Sequence, residues 1–221
     1  MHIFERPGVR ATANSSVHMG VHWKKDGKKR LIGWYRAMFR LWSAARGESW
    51  REWEAKHVSD PFFAAARNNS VVAVAWRMAA RSEIATAAGQ RVVIVAQDLT
   101  KFYEYIRHHI LATKAMELHF PLILLRLTIL SYGWERNLVE GEVIACGIRA
   151  NRGMIAGCVA ATRELKAYLR STLSGVIIRN PAINLNSWLD DITIESQSKS
   201  EQHVERVTNK AVQDLRQAVD T

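Results

Sequence analysis

Three aspartates occupy positions where this residue type is uncommon unless it has a use. Asp98 ends an apolar run that starts at Arg91, and Asp190 and Asp191 lie between two segments that alternate like strands. Clustered carboxylates repel one another unless a cation neutralises them, and Mg²⁺ prefers carboxylate oxygens together with substrate phosphates. Phosphoryl transfer by two metal ions needs such a cluster. The three residues therefore indicate a phosphoryl-transfer site if the fold brings them together.

Each aspartate group also has a purely structural explanation. Asp98 suits the cap of a helix that begins near Phe102, and Asp190-Asp191 suits an ordinary tight turn. For either group alone the structural explanation is the better one. Both groups together, in this order along the chain, favour the catalytic explanation.

The elements that carry these aspartates follow from local patterning. Residues 91–97 are a continuous β-branched run, which is typical of a strand buried on both faces. Residues 183–189 alternate as a strand, 192–195 resume as a second strand, and Asp190-Asp191 fall at the turn. The rest of the sequence predicts a hairpin over 134–148. It also predicts a helix near 38–56 with a break at Gly47, a helical turn at Pro61, and helices over 70–89, 102–117, 121–132, 156–173 and from 200. A sheet with helices packed on it results.

A second chemical feature is a very basic turn near the N-terminus. Two β-compatible runs, 21–23 and 30–34, flank Lys24-Lys25-Asp26-Gly27-Lys28-Lys29. Asp-Gly between such runs is a strong hairpin signal, because the favoured turn needs positive φ at both central residues. The sequence therefore predicts a basic hairpin, although a solvated basic turn is the simpler interpretation when this segment is taken alone.

Composition limits the classes of function. The 221 residues are 48% hydrophobic, carry a net charge of +10 and have a pI near 9.9, so a folded chain with a polyanionic partner is expected. Nucleic acid and anionic membrane surfaces both fit this charge. The membrane interpretation is weaker, because the positive charge is not arranged opposite a strongly apolar face. No apolar run is long enough to cross a membrane, which predicts a soluble chain.

Other features of the sequence predict the domain bounds and the cellular location of the protein. Residues 1–20 have no periodicity and are expected to form a loosely ordered lead-in, with a single domain over 21–221. Two cysteines, Cys146 and Cys158, are too few for a disulfide framework or a structural zinc site. An intracellular setting is expected, without a distinction between cytoplasm and nucleus.

Taken together, these segments resemble the reverse transcriptases, particularly those of retrotransposons lacking long terminal repeats. In that family a strand ending in Asp is followed by Leu-x-Lys-x-aromatic, as in Asp98-Leu-Thr-Lys-Phe-Tyr-Glu104. A later x-Asp-Asp signature in a hairpin matches Trp188-Leu-Asp-Asp191. Between them the family has a glycine-containing loop, which matches Arg152-Gly153-Met-Ile-Ala-Gly157, with Arg152 where Gln is usual.

The resemblance implies roles for individual residues. Asp98, Asp190 and Asp191 would be catalytic and would hold two Mg²⁺ ions, with Mn²⁺ as an alternative. A fingers hairpin matching residues 23–32 would give the triphosphate of the incoming nucleotide to Arg30 and to Lys24 or Lys25. Tyr103 would lie under the 2′-carbon of the incoming sugar, and Arg152 with Gly153 would contact template or nucleotide.

The resemblance also implies a fold and an activity. The fold is α/β (α+β), with fingers over about 21–90 and a palm over about 91–221, in which a mostly antiparallel sheet packs on helices; a thumb is expected to be missing. The activity is RNA-directed DNA polymerisation, with an RNA template, a DNA primer and deoxynucleoside triphosphates as partners and with no membrane. Protein partners are not indicated. The alternative is an inactive or fragmentary retroelement remnant that only binds nucleic acid.

The polymerase interpretation agrees with the distribution of charge and aromatic residues. Residues 24–46 contain eight Lys and Arg against one Asp, a density that suits the backbone of a template–primer duplex. A second basic stretch contributes Arg149, Arg152, Arg163, Lys166 and Arg170. Trp34, Tyr35 and Trp42 are candidates for stacking on unpaired template bases, with Trp42 more typical of a core residue.

Overall fold

The computed structural model describes residues 16–65 and 69–220. Residues 1–15 of the expected lead-in lie outside the described residues, whereas residues 16–20 form the first part of a strand. The chain divides into two compact units. Unit 1 contains residues 16–57 and 101–167, and unit 2 contains residues 58–65, 69–100 and 168–220.

Unit 1 contains a four-stranded sheet with the order β2-β1-β4-β5. Strand β1 pairs antiparallel with β2 and parallel with β4, and β4 pairs antiparallel with β5. The sheet is therefore mostly antiparallel. Its strands are β1 (Ser16–Trp23), β2 (Lys29–Tyr35), β4 (Glu135–Glu140) and β5 (Val143–Ile148).

The basic hairpin predicted from the sequence is formed by β1 and β2. The amide of Lys24 donates to the Lys28 carbonyl at 2.7 Å, and the amide of Gly27 donates to the Lys24 carbonyl at 3.0 Å. The turn differs from the predicted type, because Gly27 has a positive φ of 76° whereas Asp26 does not. A longer loop with one left-handed glycine therefore replaces the two-residue turn.

The helices of unit 1 pack around a core that is rich in aromatic side chains. Trp42, Trp50, Phe120 and Tyr132 are all at most 2% exposed, so the core assignment of Trp42 is confirmed. The predicted break near Gly47 is also present, between α1 and α2. The helices are α1 (Ala37–Ala45), α2 (Gly47–His57), α4 (Phe102–Tyr105), α5 (His108–Glu117), α6 (Leu122–Tyr132) and the first part of α7 (Ala161–Arg179).

One long helix predicted in unit 1 is interrupted. The segment predicted as a helix over 102–117 is divided at Ile106, which has an extended ψ of 121°. Ile106 is 1% exposed, and its carbonyl accepts a hydrogen bond from the amide of Gly153 at 2.7 Å. Tertiary contacts therefore override the local helical pattern here. The helix predicted over 156–173 also begins later, at Ala161.

Unit 2 contains a three-stranded antiparallel sheet with the order β3-β7-β6. The same unit contains helices α3 (Val71–Ala87) and α8 (Glu201–Asp220) and the end of α7. Helix α8 packs on the sheet through buried Val204, Ala211 and Leu215. Phe63 forms a parallel bridge to Ser187 of β6, whereas the expected helical turn at Pro61 is a non-helical turn. The strands are β3 (Arg91–Asp98), β6 (Ile183–Trp188) and β7 (Asp191–Ser198).

Strand β3 is not buried on both faces, and this prediction was wrong. Its residues alternate between half-buried and exposed, and Ile94 is 44% exposed. The reason is its place in the sheet, since β3 is an edge strand that pairs only with β7 among the described residues. A β-branched run specifies a strand but not the number of its neighbours.

Helix α3 begins and ends as its sequence predicts. The Ser70 hydroxyl accepts a hydrogen bond from the Ala73 amide at 3.0 Å, which is an N-cap. At the other end, the amide of Gln90 donates to the carbonyl of Ala85 at 2.9 Å, and Gly89 has a positive φ. Local signals therefore fix both ends of this helix.

The two units confirm a mixed α/β fold with mostly antiparallel sheets. In the described part of the chain, every helix is too short or too polar to pass through a bilayer. The division into fingers over about 21–90 and palm over about 91–221 stays a prediction. The compact units divide the chain differently, because α3 belongs to the same unit as β3.

A buried carboxylate lies in the core of unit 1. Glu164 at the start of α7 has no exposed surface, and it accepts hydrogen bonds from the hydroxyls of Thr128 and Tyr132 on α6. Burial raises the pKa of Glu164 to about 7, although both hydroxyl donors act in the opposite direction. The fold therefore holds a group that titrates near neutral pH.

We expect Glu164 to make unit 1 less stable as the pH rises. The folded carboxyl keeps its proton up to about pH 7, whereas the unfolded one loses it near its ordinary pKa of 4.5. The contribution is therefore complete below pH 4.5 and is lost as the pH rises through 7, a fall of about 3 kcal/mol. Urea unfolding at pH 5 and pH 8 measures it. Glu164→Gln should remove most of this difference, and an unchanged difference in that variant would contradict the assignment.

Candidate active site

The candidate site begins where two strands of unit 2 end and start. Asp98 is the last residue of β3, Asp191 is the first residue of β7, and the two are direct partners in the antiparallel register. Directly opposed residues point to the same face of a sheet. The amide of Leu99 also donates to the carbonyl of Asp190 at 3.2 Å. The backbone thus brings all three aspartates to one end of the sheet.

The turn that presents the double aspartate is shifted by one residue from its predicted position. Trp188 and Asp191 are partners across β6 and β7, so the turn consists of Leu189 and Asp190. Leu189 has a positive φ of 60°, a conformation that costs a non-glycine residue about 1–3 kcal/mol. The Ser187 hydroxyl donates to the Leu189 carbonyl at 3.0 Å and supports this conformation. Strain of this kind is typical of functional turns.

The electrostatics of the three carboxylates show that they repel one another. The pKa of Asp191 is raised, first by partial burial and then by the negative charges of Asp190 and Asp98. Asp98 and Asp191 are exposed, and Asp190 is half-buried. Negative charge is therefore concentrated at an accessible end of the sheet, where a cation would relieve it.

The donor set suits a hard cation, but the side chains are not gathered around one. Within residues 16–65 and 69–220, no three side chains of His, Cys, Asp or Glu are grouped so that they could hold a metal ion. Carboxylate oxygens are nevertheless the ligands that Mg²⁺ prefers, alongside substrate phosphates. The chemistry of Asp98, Asp190 and Asp191 therefore fits the ion, and binding would require their side chains to turn towards one point.

An ion pair with one buried partner supports the same sheet and is not predicted from the sequence. Arg81 of α3 donates two hydrogen bonds to one carboxylate oxygen of Glu195, at 3.0 and 2.7 Å. Glu195 lies on β7 and is 1% exposed. The pair ties α3 to the strand that begins with Asp191. No local pattern links residues that are 114 positions apart, so only the fold shows it.

The loop predicted to contact substrate lies in unit 1, next to the segment that contains Tyr103. The amide of Met154 donates to the Tyr103 carbonyl at 2.7 Å, and the His108 ring is 2.8 Å from the Gly153 carbonyl. Gly153 has a φ of 86°, and a Cβ there would lie 2.7 Å from the carbonyl oxygen of Glu104. The structure thus brings Tyr103 and the Arg152-Gly153 loop together. It also shows why position 153 holds glycine.

Arg152 is exposed and lies over an aromatic ring. Its guanidinium carbon is 4.8 Å from the centroid of Tyr105, which is 54% exposed. Such a cation–π contact orients the guanidinium and leaves its N–H groups available. Glutamine, the usual residue at this position in the resembled family, carries no charge. Arg152 therefore adds an oriented cation to the loop.

The three basic residues assigned to the triphosphate are all exposed. Lys24 and Lys25 lie in the hairpin turn, and Arg30 lies on β2 directly opposite His22. The neighbouring Lys29 differs from them, because it forms an ion pair with Glu140 at 2.7 Å. The structure therefore leaves the predicted cations accessible without testing their role.

Much of the basic and aromatic surface expected to hold nucleic acid is already engaged. In unit 1, Glu54 pairs with Arg163 at 3.0 Å and with Lys166, whose side chain is 4% exposed. In unit 2, Arg170 pairs with Asp60 at 2.7 Å. Tyr35 is 6% exposed and cannot stack on bases, whereas Trp34 is 50% exposed. The expected contacts of Lys166 and Tyr35 are therefore corrected to structural roles, whereas those of Arg163 and Arg170, which are ion-paired but partly exposed, stay predictions.

Comparison with known proteins places the chain in a family. The family model described as reverse transcriptase (RNA-dependent DNA polymerase) matches residues 23–220, which is nearly the whole chain. The chain belongs to the reverse transcriptase family. The match extends over Asp98, the Arg152-Gly153 loop and the Asp190-Asp191 turn. No curated protein matches the chain.

Solved telomerase structures share the fold of this chain. An apo telomerase from Candida tropicalis, truncated from its C-terminal domain, has a TM-score of 0.62 and 11% identity over 91% of this chain. Telomerase from Candida albicans in complex with a TWJ fragment of telomeric RNA has a TM-score of 0.61 and 11% identity over 91% of this chain. The matches cover 47% and 40% of those chains, so this chain spans less than half their length.

Proposed function

We propose that this chain carries the catalytic part of an RNA-directed DNA polymerase, which adds deoxynucleotides to a primer 3′-hydroxyl under the direction of an RNA template. The observation that carries the proposal is the pairing of Asp98 with Asp191 beside Asp190 at one end of the unit 2 sheet. The family match over residues 23–220 supports the reaction class. The type found in retrotransposons without long terminal repeats remains part of the proposal, on its motifs alone.

The three aspartates would hold the divalent ions of the reaction. Mg²⁺, or Mn²⁺ in its place, would lower the pKa of the primer hydroxyl and balance the charge of the departing pyrophosphate when bound. The protein's own contribution is to fix Asp98 and Asp191 through the β3–β7 register and Asp190 through the strained turn at Leu189. With the backbone fixed in this way, only rotation of the side chains is needed to bring the carboxylates to the ions, and charge positioned there would lower the barrier of the reaction.

Other residues are proposed to bind the incoming deoxynucleoside triphosphate. Arg30, with Lys24 or Lys25, would bind the triphosphate, since a guanidinium grips phosphate oxygens with two hydrogen bonds and lysine adds a point charge. The ring of Tyr103 would lie under the sugar. The Arg152-Gly153 loop, tied to the Tyr103 carbonyl through Met154, would complete the nucleotide or template contacts.

Primer extension on a homopolymer RNA template tests the proposed function directly. The protein should extend a DNA primer only with the complementary deoxynucleotide and only when a divalent ion is present. A protein that binds the template–primer duplex tightly but adds no nucleotide would support the alternative, a remnant that only binds nucleic acid. These two results separate the polymerase from the binding protein.

Arg30→Ala should raise the nucleotide KM more than it weakens duplex binding. One bidentate phosphate contact is lost from the nucleotide, whereas the duplex keeps many others, so we expect KM to rise about tenfold. Steady-state extension kinetics and duplex binding measure the two effects. Lys28→Ala is the matched control, because Lys28 is an exposed cation of the same hairpin. A fall in duplex affinity with an unchanged nucleotide KM would contradict the role of Arg30.

A further inference from the structure

The loop that contains Gly153 is held to the segment before α5 by hydrogen bonds on two successive peptide groups. The amide of Gly153 donates to the carbonyl of Ile106 at 2.7 Å, and the amide of Met154 donates to the carbonyl of Tyr103 at 2.7 Å. The carbonyl of Gly153 lies 2.8 Å from Nε2 of His108. The peptide group between Gly153 and Met154 is therefore bound through both its oxygen and its nitrogen.

His108 contributes a side chain to this set of contacts, whereas the other two partners are backbone carbonyls. A carbonyl oxygen only accepts hydrogen bonds, so Nε2 of His108 carries the hydrogen. Gly153 has a φ of 86°, and glycine loses more backbone freedom on folding than any other residue. A loop that turns at a glycine keeps one conformation only if its neighbours fix it, and His108 is such a neighbour.

The imidazole of His108 is itself oriented by the core of unit 1. Its ring centroid lies 5.9 Å from that of Tyr132, with 33° between the two planes. Tyr132 is completely buried, and its hydroxyl donates to the buried carboxylate of Glu164 on α7. His108 is half-buried and is the first residue of α5. A fixed ring and a helix start therefore hold Nε2 towards the loop.

The loop connects two residues that the proposed function assigns to the incoming nucleotide. Arg152 directly precedes Gly153, and its guanidinium lies over the exposed ring of Tyr105. Met154, on the other side of Gly153, binds the backbone of Tyr103. A shift of the Gly153 peptide would therefore displace the Arg152 side chain relative to Tyr103. Displacements of about 1 Å are enough to weaken the action of a binding or catalytic group.

We infer that His108 is a positioning residue for the incoming deoxynucleotide: its Nε2–H holds the Gly153 carbonyl and thereby keeps the Arg152 guanidinium in place for nucleotide binding. His108 acts through the loop and does not itself contact the nucleotide. The inference rests on the proposed function in taking this loop as part of the nucleotide site. The alternative is a purely structural contact that stabilises unit 1 without affecting the nucleotide.

Hydrogen exchange of the loop amides tests the contact without requiring polymerase activity. His108→Leu removes the donor but keeps an apolar side chain beside Tyr132. The amides of Gly153 and Met154 should then exchange about fivefold faster, the effect expected for one lost hydrogen bond. The amide of Leu111, hydrogen-bonded at the start of α5 at 3.0 Å, should not change. His108→Gln should restore slow exchange, because its amide nitrogen reaches the position of Nε2.

Nucleotide binding and turnover separate positioning from a purely structural role. The nucleotide Kd is measured on a chain-terminated template–primer, where no chemistry occurs, and kcat is measured on an extendable one. His108→Leu should raise the Kd about fivefold while kcat stays within about twofold, and His108→Gln should restore the Kd. His109→Leu is the matched control and should change neither value, because His109 is the exposed neighbour on α5.

A double variant tests whether His108 acts through Arg152. His108→Leu should raise the nucleotide Kd about fivefold in the unmodified protein, but less than about twofold in Arg152→Ala, because the group that it positions is then absent. Effects of the two substitutions that simply multiply would overturn the inference.

Unchanged exchange at Gly153 and Met154 in His108→Leu would overturn the inference, and so would an unchanged nucleotide Kd or a loss that His108→Gln does not restore. If His108→Leu does not fold, His108→Asn replaces it, because the shorter amide does not reach the Gly153 carbonyl. A protein that binds the nucleotide but adds none would contradict the proposed function alone, since the Kd and the exchange rates still measure the role of His108. A protein that binds no nucleotide would overturn both.

Discussion

Asp190→Asn should reduce primer extension by at least about a thousandfold while leaving duplex binding near normal. The substitution removes charge from the centre formed with Asp98 and Asp191, and the loss of preorganised charge stabilisation has effects of this size. The basic surface of unit 1 is unaffected. Single-turnover extension and equilibrium binding to the same template–primer measure the two properties separately.

Glu201→Gln is the matched control for this variant. Glu201 is an exposed carboxylate in the first turn of α8, within the same unit as the aspartates. Its removal changes the net charge equally and should leave extension unchanged. Retained extension in Asp190→Asn would show that the double aspartate is an ordinary turn, and equal losses in both variants would show that charge alone is responsible.

Tyr103→Ala should admit ribonucleotides while retaining part of the deoxynucleotide activity. A rigid ring under the 2′-carbon excludes a hydroxyl by steric repulsion, and we expect its removal to lower the discrimination about a hundredfold. The structure favours Tyr103 over its neighbour, because Phe102 is 8% exposed whereas Tyr103 is half-buried. Competing incorporation of the two nucleotide types by the variant and the unmodified protein measures the effect.

Tyr103→Phe is the control that separates the ring from its hydroxyl. The loop contact survives both substitutions, since Met154 donates to the backbone carbonyl of Tyr103 and not to its side chain. Tyr103→Phe should keep the discrimination of the unmodified enzyme. If the sugar discrimination of an active Tyr103→Ala enzyme is unchanged, the sugar is selected elsewhere, and Phe102 is the next residue to test.

Local signals in the sequence predict much of the fold because they act over a few residues. Ser70 and Gly89 mark the ends of α3, and Asp26-Gly27 marks the hairpin. The alternation over 183–189 predicts β6, although the turn that follows it lies one residue earlier than predicted. Each of these features depends on neighbours within about five residues, where capping and turn chemistry operate.

The features that the sequence does not predict depend on distant partners. The interruption at Ile106 requires the Gly153 amide, and the edge position of β3 depends on the pairing of the whole sheet. The ion pairs of Arg163 and Lys166 cannot be predicted from the sequence, because their partner, Glu54, is more than a hundred residues away. The positive φ of Leu189 gives no signal, since leucine normally avoids that conformation.

The Asp98–Asp191 pairing depends both on the local sequence and on the pairing of distant strands. The types and order of the three aspartates suggest a metal centre, but nothing in their spacing sets the register of β3 against β7. That register places Asp98 directly opposite Asp191. A slip by one residue would turn one carboxylate to the other face of the sheet, so the site depends on the pairing as much as on the residue types.

Anomalous X-ray scattering from Mn²⁺, in crystals of the protein with a template–primer duplex and a non-hydrolysable deoxynucleotide, tests whether Asp98, Asp190 and Asp191 form one metal centre. Mn²⁺ should be bound by Asp98 together with the carboxylates of Asp190 and Asp191, next to the nucleotide phosphates. Mn²⁺ bound elsewhere, with Asp98 turned away from Asp190 and Asp191, would contradict this expectation.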